Sequence, residues 1–219
     1  MSSSVNLNAQ MNMLKPIAQK HVRVCIIFHT NDLNERKLEI SSMLILWSYN
    51  TSHFIASCPS FGEKAFKASK NNLVTTFPKL SNEFEVQFDV YANKVGSRWE
   101  NVFRMTNGAK DLRVGARNPA VWVNGGKKPY FHVCMIMNGR NTCKNIRIKT
   151  KTWYKLKMAQ TKNKDGAFQF EVTLNDIEKW KIINKTPKTF NNVKMYASDP
   201  RYPAFNGLLR NIKICPSGN

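Results

Sequence analysis

The sequence is short of acidic residues, has no long apolar run and lacks any CxxC pair, and each absence closes off a class of protein. Fourteen Asp and Glu stand against 34 Lys and Arg, leaving a net charge of +20 at pH 7. Such a surface repels basic partners and attracts polyanions such as nucleic acid, sulfated glycan or acidic membrane. With no stretch of 18 apolar residues, a membrane-spanning helix is not expected. Without CxxC, zinc ribbons and thioredoxin-type redox centres are disfavoured. Helical periodicity is nearly missing, and no recognition-helix, zinc-finger or RRM signature is present. What remains is a chain of 219 residues, 42% hydrophobic and 11% aromatic, enough to close one sizeable core.

Five cysteines are present: Cys25, Cys58, Cys134, Cys143 and Cys215. Between Cys134 and Cys143 lies Asn138-Gly139 flanked by strand-like residues, the strongest short hairpin signal. A two-residue turn there pairs residue 137 with 140 and, three steps out, Cys134 with Cys143. The pairs alternate outward from a hydrogen-bonded one, so the cysteines fall at a non-hydrogen-bonded pair with Cα atoms roughly 4.5 Å apart. That distance is at the lower edge of disulfide geometry. Cys58 and Cys215 bracket the region that reads as folded, and sheet proteins often bring their ends together, so a second bridge is expected between them. Two bridges imply an oxidising compartment; five reduced core thiols in a cytosolic protein is the other reading.

The first 57 residues differ from the rest. Apolar patches at 22–28 and 43–47 are separated by a charged stretch at 31–39, and neither alternates. Residues 1–10 are polar, unlike the start of a secretory signal, whereas 43–57 resemble a short, polar signal core ending in small residues. Either an atypical signal segment or a disordered extension fits. His21, Cys25 and His29 would share a helix face, but the β-branched run between them scatters such ligands, so no metal site is expected there.

From Phe61 onward the chain reads as strands. In 83–91 Phe84, Val86, Phe88 and Val90 fall on one face. Trp99, Val102 and Met105 belong to a second, less regular run that stops at Asn107-Gly108, and 119–124 is a short apolar strand closed by Gly125-Gly126. The hairpin 130–149 follows, then strands at 152–160, 167–174, 193–197 and 208–214. Strands at 8–12-residue spacing, separated by Gly, Asn, Asp and Pro, make the domain all-β, a sandwich or barrel.

The progression of motifs carries a resemblance. Trp153-Tyr-Lys-Leu-Lys-Met is followed by Phe168-Gln-Phe-Glu-Val-Thr-Leu-Asn175, by Val193-Lys-Met-Tyr196, and by Phe205-Asn-Gly207 leading a closing strand to Ile214. This order resembles the concanavalin A-like jelly-roll superfamily, nearest its laminin G-like and pentraxin-like branches, over residues 60–215. The resemblance implies a two-sheet antiparallel jelly-roll sandwich at 58–219 after the irregular extension at 1–57. It also implies an architecture common among extracellular sugar-binding and adhesion modules.

Two activities of that superfamily are not expected here. Its hydrolases carry Glu-x-Asp-x-x-Glu on one strand, whereas this chain offers Glu83-x-Glu85-x-x-x-Asp89, on the solvent face and at the wrong spacing for paired acid and base. Its calcium sites need clustered loop carboxylates, but Asp111, Asp165, Asp176 and Asp199 are scattered, and a charge of +20 opposes a divalent cation. Neither enzyme activity nor a cofactor or metal is expected.

The cations are the functional clue. Residues 140–219 hold 17 Lys and Arg against 5 Asp and Glu. With Ile146 and Ile148 inward, Arg147, Lys149 and Lys151 line the opposite face. With Tyr154, Leu156 and Met158 inward, Lys155 and Lys157 point out, and Lys162 and Lys164 extend the charge into a turn. Rows of cations on these neighbouring strands make the seven residues one positive plate for an acidic or sulfated glycan, presented by matrix or a cell-surface glycoprotein. The sequons at Asn50 and Asn184 point toward secretion. Competing readings are a structural or protein-interaction sandwich without a small ligand and, in a cytosolic protein, a nucleic-acid binder.

Overall fold

The computed structural model describes residues 58–110 and 112–216. The readings of residues 1–57, including Cys25, Asn50 and the signal-like segment, and that of Asp111 lie outside them. Thirteen strands form among the described residues: β1 (Ser60–Phe61), β2 (Phe66–Lys67), β3 (Leu73–Leu80), β4 (Phe84–Lys94), β5 (Glu100–Thr106), β6 (Ala120–Asn124), β7 (Tyr130–Met137), β8 (Arg140–Arg147), β9 (Trp153–Lys162), β10 (Phe168–Leu174), β11 (Ile177–Ile183), β12 (Phe190–Tyr196) and β13 (Asn206–Pro216). They make two antiparallel sheets. A seven-stranded sheet runs β1-β13-β4-β9-β10-β11, with β2 also on β13, and a six-stranded sheet runs β3-β12-β5-β6-β7-β8. This is the two-sheet jelly-roll sandwich that the resemblance implies.

Alternation explains why the sheets pack. Phe84, Val86, Phe88 and Val90 of β4 are all at most 2% exposed, while the residues between them point outward. From β9 Leu156 and Met158, and from β10 Phe170 and Val172, join them in the same core. The six-stranded sheet answers with Phe103, Val121, Phe131, Val133 and Met195. Phe88 and Phe103 stack across the gap with ring centroids 4.8 Å apart. Each such side chain contributes about 1.5–3 kcal/mol when taken fully out of water.

The hairpin forms in the expected register. Asn138 and Gly139 both take positive φ, +53° and +72°, as a two-residue turn matched to strand twist requires. Met137 pairs with Arg140, and Cys134 lies opposite Cys143. The two form a disulfide with Cα atoms 4.2 Å apart, and Cys58 is bonded to Cys215 with Cα atoms 4.5 Å apart.

Two expectations need correction. First, β8 and β9 are not neighbours: they belong to opposite sheets. The chain leaves the six-stranded sheet after Arg147, and Lys151, in a left-handed conformation at φ +57°, donates its N–H to Ala92 O at the end of β4. β9 then pairs along β4, from Trp153 opposite Tyr91 to Gln160 opposite Phe84. Second, Asn184 is 3% exposed, its Nδ2 donates to Gln160 Oε1 at 2.6 Å, and its Oδ1 accepts the Thr186 N–H. The folded domain therefore does not present this sequon as a glycan acceptor.

Candidate functional site

The seven cations split into two unlike groups. Lys155 and Lys157 do point outward from β9, as the alternation of Leu156 and Met158 requires. Their surroundings, however, are mixed in charge. Lys155 lies opposite Asp89 in register and pairs with Asp176 at 2.9 Å, while Lys157 lies 3.8 Å from Glu85. Further along the same face Lys181 pairs with Glu171 and Glu178, and Arg210 with Asp89. Exposed pairs of this kind contribute little to stability, but they offset the positive charge that a plate would need. Lys162 sits over the Phe168 ring at 5.4 Å, and Lys164 is exposed in the turn beyond it.

Arg147, Lys149 and Lys151 belong to the other side. Arg147 lies opposite Tyr130 on the outer face of the six-stranded sheet. Its guanidinium is 5.8 Å from the Tyr130 ring centre and donates to Lys128 O. Lys149 and Lys151 continue from it as an exposed run; the Lys149 N–H donates to the Tyr154 hydroxyl.

That outer face holds a constellation that the sequence reading missed. Val121, Val123, Phe131 and Val133 face the core, so Ala120, Trp122, Tyr130, His132 and Cys134 face out. Register puts Trp122, His132 and Asn145 in one row across β6, β7 and β8, with Asn124, Tyr130 and Arg147 in the next. Trp99, just before β5, lays its ring 4.8 Å from His132 and 6.2 Å from Tyr130. Arg117 stacks over Trp122 at 4.6 Å and donates to Asn141 Oδ1, and Tyr202 packs edge-on to Trp122 at 5.6 Å. Trp122 is 2% exposed, and its indole Nε1 finds no acceptor among the described residues. Buried donors in folded proteins are otherwise almost always satisfied.

Two loops frame this face, and one ion pair holds both. Arg104 of β5, 2% exposed, donates from Nε to Ala116 O at 2.9 Å and from Nη1 to Asp199 Oδ2 at 2.6 Å. The other carboxylate oxygen of Asp199 accepts the N–H groups of Arg201 and Tyr202, and Asn101 Oδ1 accepts the Asp199 N–H. Ala116 and residues 198–205 are thereby tied to the middle of the sheet, and Tyr202 is set against Trp122. On the far side Gly125, at φ +112°, lets the 125–129 turn close; a Cβ there would lie 2.4 Å from Lys128 O and 2.9 Å from the Tyr130 ring.

The imidazole at the centre is held in one state. His132 Nδ1 donates to Asn145 Oδ1 at 2.6 Å. Burial, helped by the nearby Arg117 charge, holds the His132 pKa below its ordinary value against the opposing Asn145 hydrogen bond. The balance favours the neutral imidazole. The carboxylates singled out in the sequence lie on the opposite sheet: Glu85 beside Lys157, Asp89 beside Arg210, and Glu83 accepting the Lys162 N–H. None of the three belongs to the aromatic face.

No family model matches the sequence, and no curated protein matches it. Solved structures do resemble it. A heptameric SAP-like pentraxin from Limulus polyphemus is 9% identical, with 69% of this chain and 76% of that one covered at a TM-score of 0.47. The receptor-binding domain of botulinum neurotoxin D is 9% identical, with 71% and 41% covered at 0.46. The carbohydrate-binding module CBM66 from Bacillus subtilis is 13% identical, with 71% and 94% covered at 0.40.

Proposed function

We propose that this chain is a non-catalytic, lectin-like module acting outside the cell, formed by residues 58–219, and that it binds an acidic or sulfated glycan on the outer face of its six-stranded sheet. The observation that carries this reading is the half-exposed Trp99 ring packed against His132 and Tyr130 beside Arg147. A pyranose ring has an apolar face that stacks on an aromatic side chain, and its carboxylate or sulfate groups suit an arginine, which donates two hydrogen bonds in one plane. Arg117 and the unpaired Trp122 Nε1 add donors deeper in the face. Lys149 and Lys151 continue the positive charge beyond Arg147 along a polymeric anion. The disulfides persist in the oxidising compartments where such glycans occur.

Retention on immobilised heparin in a salt gradient tests this, beside a size-matched basic protein. Trp99→Ala with Arg147→Glu should weaken binding about tenfold or more, since hydrogen bonds to charged groups are worth ~1.5–3 kcal/mol. Lys155→Glu with Lys157→Glu removes more positive charge but should leave retention close to the parent. Equal losses from both pairs would make the charge a property of the whole surface and would favour an interaction domain without a glycan site.

A further inference from the structure

The Cys134–Cys143 bond is not an isolated staple, because a third metal-ligating group lies against it. A His132 ring nitrogen and both sulfur atoms lie within 4.8 Å of one another. The sheet explains this: His132 and Cys134 are two residues apart on β7, so they share a face, and Cys143 stands opposite Cys134 on β8. We infer that reduction of this disulfide opens a Cys2His site for a soft divalent cation such as zinc, independently of the glycan reading.

The surroundings are those of a supported site. Asn145 Oδ1 takes the Nδ1–H of His132, which leaves the Nε2 lone pair for a metal. Outer partners of this kind fix the tautomer of metal-bound histidines, and losing one typically costs ten- to a hundredfold in affinity. The Asn141 amide donates to Cys143 Sγ at 3.2 Å, and Arg117, bonded to the same Asn141, adds positive charge beside the sulfurs. Both features favour thiolate over thiol. Cys143 is partly exposed while Cys134 is fully buried, so a reductant reaches the Cys143 sulfur first. Two Cys and one His leave the fourth tetrahedral position to water or a ligand group.

The chemistry balances with a phosphine or dithiol as reductant. Two electrons and two protons convert the disulfide into two thiols while the reductant is oxidised. The cation then displaces both thiol protons and forms two metal–sulfur bonds and one metal–nitrogen bond. Thiolate, not thiol, is the ligand.

Cobalt(II) titration of the full chain, reduced with a phosphine under anaerobic conditions, tests the inference. A single tightly bound ion is expected, with thiolate-to-cobalt charge-transfer bands, tetrahedral visible bands, and displacement by zinc. Cys134→Ser with Cys143→Ser should abolish those bands, and Asn145→Ala should weaken binding about ten- to a hundredfold. The double variant has the same remaining thiols as the reduced parent, so unchanged bands would put the ion elsewhere and overturn the assignment. So would a reduced chain that loses its β-sheet circular dichroism and does not regain it with metal.

Discussion

Asp199→Ala is expected to destabilise the domain by about 3–5 kcal/mol, the usual cost of removing one member of a buried ion pair. Asp199 and Arg104 are 1% and 2% exposed, so no solvent takes over from the missing carboxylate. The change also removes the acceptor for the Arg201 and Tyr202 N–H groups. For a domain of this size the thermal midpoint should fall by roughly 6–20 °C, read by circular dichroism. Arg104→Met combined with Asp199→Leu should recover a good part of that loss, because two apolar residues leave no buried charge. A drop of only a degree or two for Asp199→Ala would mean that water reaches the pair and that the two loops are not held as described.

Removing the Cys58–Cys215 bridge by serine substitution should cost about twice as much as removing Cys134–Cys143. The first closes a sequence separation of 157 and the second only 9. In the loop-entropy account these correspond to about 5 and about 3 kcal/mol of restriction on the unfolded chain. Cys58 and Cys215 also hold the start of the domain to β13, whose partners β1 and β4 begin the seven-stranded sheet. Urea unfolding of the two double variants gives the comparison, and a smaller loss for Cys58→Ser with Cys215→Ser would contradict it.

How far the sequence could be read depends on which interactions are local. The faces of β4 and β9 were legible because hydrophobic and polar residues alternate without a break, and the register of β7 with β8 because Asn138-Gly139 dictates a two-residue turn. Sheet membership was not legible from the same pattern. Alternation says which side of a strand is apolar but not which strand lies beside it, so β8 and β9 looked like neighbours although residues 148–152 cross between sheets. The aromatic face was hidden for a different reason. β6 is buried on both sides, with Val121 and Val123 in one cluster and Trp122 in another, and a run that is apolar throughout carries no alternation to assign a face. Trp99 sits in an irregular run that assigns its side chain no face; its ring packs against His132. Arg104 and Asp199 are separated by 95 residues, a pairing that no local pattern announces. In β11 only the alternation of Lys179, Trp180 and Lys181 was legible; Trp180 packs against the core while Ile177 and Ile183 are exposed, with a register shift against β10 at Val172/Thr173.

The face that meets the glycan can be observed directly through the tryptophan indole N–H resonances in a 15N-labelled chain, titrated with a size-defined sulfated glycosaminoglycan oligosaccharide. Trp99 lies on the outer face of the six-stranded sheet, whereas Trp153 lies on the seven-stranded sheet, with its ring 4.3 Å from the Arg210 guanidinium. The Trp99 signal should move in a saturable way, accompanied by Trp122 on the same face, while Trp153 and Trp180 stay in place. Saturable movement of Trp153 with Trp99 unmoved would place the ligand on the opposite sheet and contradict the account.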